Sequence, residues 1–113
     1  MDPLLSDEKL VVRVRALLSH LPGLKEKKMF GSIGFMVRGR LCMSARGTRI
    51  MCRFDPAGHD AALRRPGAHT VVMKGRAYLG YVYIDAPSLK TKRALQYWVD
   101  LALAYNQANH RRA

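Results

Sequence analysis

Residues 35 to 54 read FMVRGRLCMSARGTRIMCRF, and this stretch decides the fold. Two glycine-containing pairs, Arg38-Gly39 and Gly47-Thr48, interrupt short runs of apolar residues. Such pairs are typical of the two-residue turns that join antiparallel strands. The sequence therefore predicts a three-stranded antiparallel meander between Lys27 and Phe54.

The two turns also predict which side chains of the meander share a face, because successive residues of a strand point to opposite faces. One face carries no charge, and we expect it to cover the core: Met36, Leu41, Met43, Ala45, Ile50, Cys52 and Phe54. The other face mixes basic and apolar residues: Ile33, Phe35, Val37, Arg40, Cys42, Ser44, Arg46, Arg49, Met51 and Arg53. This register separates Cys42 from Cys52 and so excludes a disulfide between them.

Helical patterns lie on both sides of the meander. Ser6 is a suitable N-cap for a first helix, in which leucines and valines recur at helical spacing until Pro22-Gly23 ends it. Asp55-Pro56 predicts the start of a short second helix that stops at Pro66-Gly67. Ser88 is expected to cap a long final helix that runs to about residue 109.

Two further strands are predicted between the second and third helices, at residues 70–73 and 78–84. The order is then α-β-β-β-α-β-β-α, which is an α+β fold with an antiparallel sheet and helices packed on one face. We expect a single domain over residues 1–113, with a core of about residues 7–108 and a frayed basic tail from 109 to 113.

The charge balance indicates the class of partner that such a domain binds. The chain has 20 Lys and Arg against 8 Asp and Glu, a formal net charge of +12. A surface of this kind favours an anionic partner, with nucleic acid as the first candidate and an anionic membrane as the second. The 49% hydrophobic content excludes a disordered basic tail. No apolar run approaches a membrane span and no secretory signal is recognisable, so a cytoplasmic protein without membrane insertion is expected.

The basic residues supply the sharpest site prediction. Arg46 and Arg49 flank Gly47-Thr48 and are expected to lie opposite each other, a destabilising pair of like charges unless an anion or solvent separates them. Phe35 lies among the arginines as a platform for an unpaired base. A helix start disfavours cations, so a phosphate would also compensate the basic residues there. The candidate nucleic-acid-binding residues are Arg40, Arg46, Arg49, Arg53, Lys90, Lys92 and Arg93. The alternative is that these cations only form a solvated basic surface.

A second hypothesis uses the apolar residues of the same basic face. Ile33, Phe35, Val37 and Met51 are expected to form the centre of a homodimer interface, or of a contact with a protein of the transcription machinery, with arginines at the rim. Tyr81 and Tyr83 share one face of the last strand, and the sequence leaves open whether they are half-buried core residues or exposed stacking residues beside the arginines.

Nothing in the sequence predicts an enzyme, a metal site or a cofactor. The four histidines are scattered, and no spacing typical of a zinc protease or of a serine hydrolase occurs. His59 and Asp60 are adjacent on a helix and therefore point about 100° apart. The acidic residues of the central chain are too dispersed to predict a metal cage. We expect a non-enzymatic binding protein that takes no small-molecule substrate.

Several blocks resemble a known family. They are Lys28-Met29-Phe30-Gly31, Gly34-Phe35, Arg53-Phe54-Asp55-Pro56, Arg65-Pro66-Gly67, Met73-Lys74-Gly75-Arg76, Gly80-Tyr81-Val82-Tyr83-Ile84 and Trp98. Over about residues 7–108 the chain resembles the N-terminal domain of the TfoX (Sxy) competence regulators. The resemblance implies a stand-alone domain similar in fold to type-III secretion chaperones, a regulatory or accessory role, and no catalytic residues. It covers only the first half of the full-length regulators, which have a second, C-terminal domain.

Overall fold

The computed structural model describes residues 8–29 and 31–112, with side-chain placement up to residue 108. Its helices and strands are α1 (Lys9–Leu18), β1 (Lys25–Met29), β2 (Ser32–Val37), β3 (Arg40–Ala45), β4 (Arg49–Arg53), α2 (His59–Leu63), β5 (Ala68–Met73), β6 (Arg76–Asp85) and α3 (Lys92–Arg112). Short 3₁₀ turns precede α2 (Pro56–Gly58) and α3 (Ala86–Leu89).

The six strands form one antiparallel sheet in the order β1-β2-β3-β4-β6-β5. The core lies between one face of this sheet and the helices, where Trp98 and Leu95 of α3 and Val11 and Val14 of α1 are buried. The predicted α+β class is confirmed. The predicted strand count is one too low, because β1 pairs with β2 as a separate strand. Its sequence, KEKKM, has no apolar alternation that would have marked it as a strand.

The helix boundaries differ from the predicted ones at three points. The predicted cap Ser6 lies outside the described residues, and α1 follows Glu8 and ends at Leu18, before Pro22-Gly23. Ser88 belongs to a 3₁₀ turn, and α3 is capped instead by Thr91, whose Oγ1 accepts a hydrogen bond from the Ala94 N–H at 3.1 Å. The helix continues to Arg112, past its predicted end near residue 109.

A β-bulge corrects the predicted faces of the meander. Met36 pairs with Leu41 as expected from the Arg38-Gly39 turn, but Phe35 pairs with Met43, so Cys42 is an extra residue in β3. Beyond this point the register is shifted by one residue, which moves side chains to the opposite face.

As a result, several side chains lie on the face of the sheet opposite to the predicted one. Ile33, Phe35 and Val37 were expected on the basic face, but they lie in the core and are 2%, 0% and 1% exposed. Met36 and Leu41 were expected in the core and are instead half-buried on the other side of the sheet. The register that separated the two cysteines does not hold at the bulge; Cys42 and Cys52 are both buried free thiols.

Candidate nucleic-acid interface

The side of the sheet away from the helices is referred to below as the open face. The strand register assigns to it these residues: Lys25, Lys27, Met29, Ser32, Gly34, Met36, Leu41, Ser44, Arg46, Arg49, Met51, Arg53, His69, Tyr81, Tyr83 and Asp85. Among them are five Lys or Arg and one carboxylate, Asp85. That carboxylate already lies 2.7 Å from the ring nitrogen Nε2 of His69. The open face is therefore positively charged.

Arg46 and Arg49 lie opposite each other across the turn that joins β3 to β4, as predicted. The Arg46 N–H donates to the Arg49 carbonyl at 3.0 Å, which closes the turn. Inside the turn, the Gly47 N–H donates to Oε1 of Glu8 at 3.0 Å. Within the described residues neither guanidinium group has a carboxylate in ion-pair distance; the pairs found there are Arg15 with Glu26 and His69 with Asp85. The two guanidinium groups point to opposite sides, that of Arg46 toward Gly31 and that of Arg49 toward Tyr83. Neither is ion-paired in the described part of the chain, although the Glu8 carboxylate lies at the turn and Asp85 is the cross-strand partner of Arg49.

A hollow on the open face, here called the turn hollow, lies beside these two arginines. It is lined by Ser32, Ser44, Arg46, Arg49 and Tyr83, with Met29 and Met51 as its apolar part, and it has a volume of about 90 Å³. That is room for several waters or a small anion. The guanidinium carbon of Arg49 lies 3.7 Å from the ring centroid of Tyr83, so a cation–π contact holds this side chain over the sheet. The hollow combines two guanidinium groups with the hydroxyl-bearing residues Ser44 and Tyr83, the kinds of donor that bind a phosphate, while the Ser32 hydroxyl already donates to the Met29 carbonyl at 2.9 Å.

Arg53 lies at the other end of β4 from the turn hollow. Its guanidinium carbon is 5.7 Å from the ring centroids of both Tyr81 and Tyr105. Tyr81 and Tyr83 therefore stand beside arginines on the open face, but both are half-buried, so they are neither core residues nor fully exposed.

Arg40 does not share the open face. The bulge at Cys42 places Arg40 opposite Val37, on the helix side, where it lines a small cavity with Ala102 and Asn106 of α3. The four arginines predicted to form one stripe are thus divided. Arg46 and Arg49 lie on the open face at the turn, and Arg40 lies at the edge of the helix layer. Arg53 has an open-face position in β4, but its side chain reaches Tyr105 of α3 and lines the same small cavity as Arg40.

The basic residues at the start of α3 also lie in the helix layer. Lys90 precedes the cap residue Thr91, while Lys92 and Arg93 occupy the first turn of the helix and are exposed. The preceding 3₁₀ turn contacts the β3–β4 turn through a hydrogen bond from the Ala86 N–H to the Thr48 carbonyl, 2.9 Å long. These cations are therefore at the same end of the molecule as the turn hollow, but on the opposite side of the sheet.

Two further cations were missed by the sequence prediction. Lys25 and Lys27 pair with Met36 and Gly34, so both project from β1 onto the open face, where they are exposed. The alternating charges of Lys25, Glu26 and Lys27 could have shown this, since every second residue of a strand shares a face. Glu26 points to the helix side and pairs with Arg15, which lowers the pKa of its carboxyl group.

The remaining reactive side chains have structural surroundings. His59 is buried; its Nδ1 accepts a hydrogen bond from the Gly80 N–H at 3.0 Å, and its Nε2 lies 3.3 Å from Oγ1 of Thr70. Burial raises the pKa of Cys42 to about 12 and that of Cys52 well above its usual value, which suppresses thiolate formation. In the described residues no three His, Cys, Asp or Glu side chains are placed to hold a metal ion.

A family model for the TfoX N-terminal domain matches residues 16–105, most of the 113-residue chain. The chain belongs to this family. Searches of curated proteins and of solved structures gave no match. The TfoX N-terminal domain match spans every strand of the sheet, and thus all of the open face. None of the helices in the described part of the chain is long and apolar enough to cross a bilayer.

Proposed function

We propose that this TfoX N-terminal domain is a non-enzymatic, cytoplasmic regulatory module that binds nucleic acid weakly through its open face. The turn hollow is the observation that carries the proposal. Arg46 and Arg49 occupy opposite positions of the turn and both line the hollow, so a phosphate bound there would have guanidinium groups on two sides.

The shape of the open face favours a single strand over a duplex. Protein elements that read duplex bases are narrow, since the major groove admits one helix or a two-stranded ribbon. A six-stranded sheet is wider than a single helix or a two-stranded ribbon. Unpaired bases can instead lie on tyrosine rings and guanidinium planes, and Tyr81, Tyr83, Arg49 and Arg53 offer both. This mode of binding tolerates sequence changes in the nucleic acid.

The charge of the open face sets the expected salt dependence. If Lys25, Lys27, Arg46, Arg49 and Arg53 each neutralise one phosphate, log affinity for a single strand falls with log salt at a slope of about −3.5. Between about 50 mM and 200 mM salt the affinity then falls on the order of 100-fold. A contact carried mainly by apolar groups would show little of this dependence.

The experiment is a fluorescence-anisotropy titration of short labelled single-stranded DNA, single-stranded RNA and duplex DNA over a range of salt concentrations. The double variant Arg46→Gln with Arg49→Gln should weaken single-strand binding and reduce the salt slope by about 1.4. The matched control is Lys9→Gln with Arg64→Gln, which removes two exposed charges from the helix layer and should change binding little. Equal losses in the two double variants would overturn the proposed site.

Two further variants separate the parts of the basic surface. Lys92→Gln with Arg93→Gln tests the start of α3, and it should have a smaller effect than the turn variant because these cations are on the other side of the sheet. Glu8→Gln removes the negative charge bound to the Gly47 N–H of the turn and should strengthen binding, since it takes away a charge that repels phosphate. Weaker binding by the Glu8 variant would contradict a phosphate site at the turn.

A further inference from the structure

The turn hollow is a recess in the open face. Each residue of its lining is buried or half-buried, whereas Lys25 and Lys27, which also bring positive charge to the open face, are exposed. A strand that lies across the sheet can present its internal phosphates to the exposed lysines. The hollow, with its volume of about 90 Å³, instead suits a single small group that projects from the strand.

Ser44 supplies a buried hydroxyl group to this recess. The residue is only 6% exposed and belongs to the lining of the hollow. Among the described residues its hydroxyl group has no hydrogen-bond partner. The neighbouring Ser32 differs, because its hydroxyl group donates to the Met29 carbonyl at 2.9 Å. Buried polar groups are normally satisfied, so the Ser44 hydroxyl is available as a donor to a ligand in the hollow.

The two arginines of the hollow add donors from two sides. The guanidinium group of Arg46 lies toward Gly31, and that of Arg49 lies over the Tyr83 ring, 3.7 Å from its centroid. No carboxylate is found among the described residues that line the hollow. Two positive charges and the Ser44 hydroxyl group therefore face one small volume, and a ligand there should carry about two negative charges and several acceptor oxygens.

We infer that the turn hollow binds a phosphate monoester, and, resting on the proposed function, that this group is the terminal phosphate of the strand on the open face. A terminal phosphate carries a charge of about −1.5 to −2 at pH 7 and three free oxygens. It can therefore offer one oxygen each to Arg46, Arg49 and Ser44. An internal phosphodiester has a single negative charge and two free oxygens, and its chain must both enter and leave the recess.

The test is an anisotropy titration of single-stranded DNA of one sequence with three different 5′ ends. The ends are a hydroxyl group, a phosphate, and a phosphate capped as its methyl ester; a second set carries the same groups at the 3′ end. The cap keeps the added phosphate but removes one charge and one free oxygen. It therefore controls for the general attraction between nucleic acid and a chain of net charge +12.

The phosphorylated strand of one set should bind about tenfold more tightly than its hydroxyl-ended form, because a hydrogen bond to a charged group contributes at least that factor. The methyl cap should remove most of this gain. Equal affinities of the phosphorylated and capped strands in both sets would overturn the inference. The proposed function would survive this result if the hydroxyl-ended strands still bind with the expected salt dependence, whereas no binding of any strand would contradict both.

Two variants locate the preference for a phosphorylated end. Ser44→Ala should lose most of it, because the substitution removes the buried donor of the hollow. The matched control is Thr48→Ala, which removes an exposed hydroxyl group from the same turn, outside the lining of the hollow, and should keep the preference of the parent. The urea midpoint of each variant checks its folding. Equal preferences in the two variants would overturn the assignment to the hollow.

A free mononucleotide is the other source of a phosphate monoester, and adenosine monophosphate as a competitor tests it. The mononucleotide lacks the contacts of the strand with the rest of the open face, so it should displace the phosphorylated strand only at much higher concentration. Displacement with an inhibition constant equal to the dissociation constant of the strand would overturn the assignment to a strand end.

Discussion

Replacing Phe35 with alanine tests the bulge at Cys42, because the bulge decides which face of the sheet carries this ring. The side chain is 0% exposed and the residue pairs with Met43 in the core. Truncating a buried phenylalanine costs about 3–5 kcal/mol, which is a large part of the 5–15 kcal/mol that stabilises an ordinary domain. Without the bulge the ring would lie on the open face, and its loss would cost about 0.5 kcal/mol.

Urea unfolding measures the difference. With a dependence of about 1–3 kcal/mol per molar urea, the Phe35→Ala midpoint should fall by at least about 1 M. Met36→Ala is the matched control, since the next residue points to the open face and is half-buried. If the alanine variant has no folded baseline, Phe35→Leu keeps most of the apolar volume and should still lose more stability than Met36→Ala. Equal losses at positions 35 and 36 would refute the bulged register.

Three other predictions concern stability and reactivity. Glu26→Gln should lower stability at neutral pH by less than about 1 kcal/mol, because the hydrogen bond from Arg15 holds the Glu26 pKa below its usual value. Since this pKa is lowered by folding, the difference from the parent should persist above pH 4.5 and fade as the pH falls through the folded value; a difference that grows in acid would contradict it. Cys42 and Cys52 should resist thiol reagents at pH 8 until urea unfolds the chain, and rapid labelling of the native protein would contradict their burial. Asn106→Ala should destabilise the fold by about 1–3 kcal/mol, because its side-chain amide donates to a buried β2 carbonyl at 3.1 Å; an unchanged urea midpoint would argue against that bond.

Local patterns in the sequence predicted the turns and the residues that the turns place opposite each other. Arg38 and Gly39 both have positive φ, as a two-residue turn between antiparallel strands requires, and Arg46 and Arg49 lie opposite each other as expected. These features depend on a few neighbouring residues. The part of the open face at the β3–β4 turn can therefore be predicted from local sequence alone.

The bulge could not be predicted in the same way. It inserts Cys42 into a run of apolar residues that suits either register, because Leu41, Cys42 and Met43 differ little in hydrophobicity. The outcome depends on the packing of the core cluster that Phe35 and Ile33 share with residues of α1 and α3, which is a tertiary effect. As a result, Ile33, Phe35 and Val37, which were predicted to form a dimer interface, lie in the core. Arg40, which was predicted to belong to the arginine stripe, lies on the helix side.

Strand β1 was missed for a different reason. Its side chains are exposed at four of five positions, so it leaves no apolar pattern in the sequence. Its charges protect an edge of the sheet and at the same time add Lys25 and Lys27 to the open face. A pattern search for buried residues therefore misses a strand whose contribution is electrostatic.

The central claim is that nucleic acid lies on the open face. The most direct measurement is a map of backbone amide shifts of the protein as a short single-stranded oligonucleotide is added at low salt. The largest shifts should fall on the outward residues of β1, β2, β3, β4 and β6, led by Ser44, Arg46, Arg49 and Tyr83, and they should diminish as salt is raised. Shifts confined to the helix layer around Lys92 and Arg93, or no shifts at low salt, would contradict the claim.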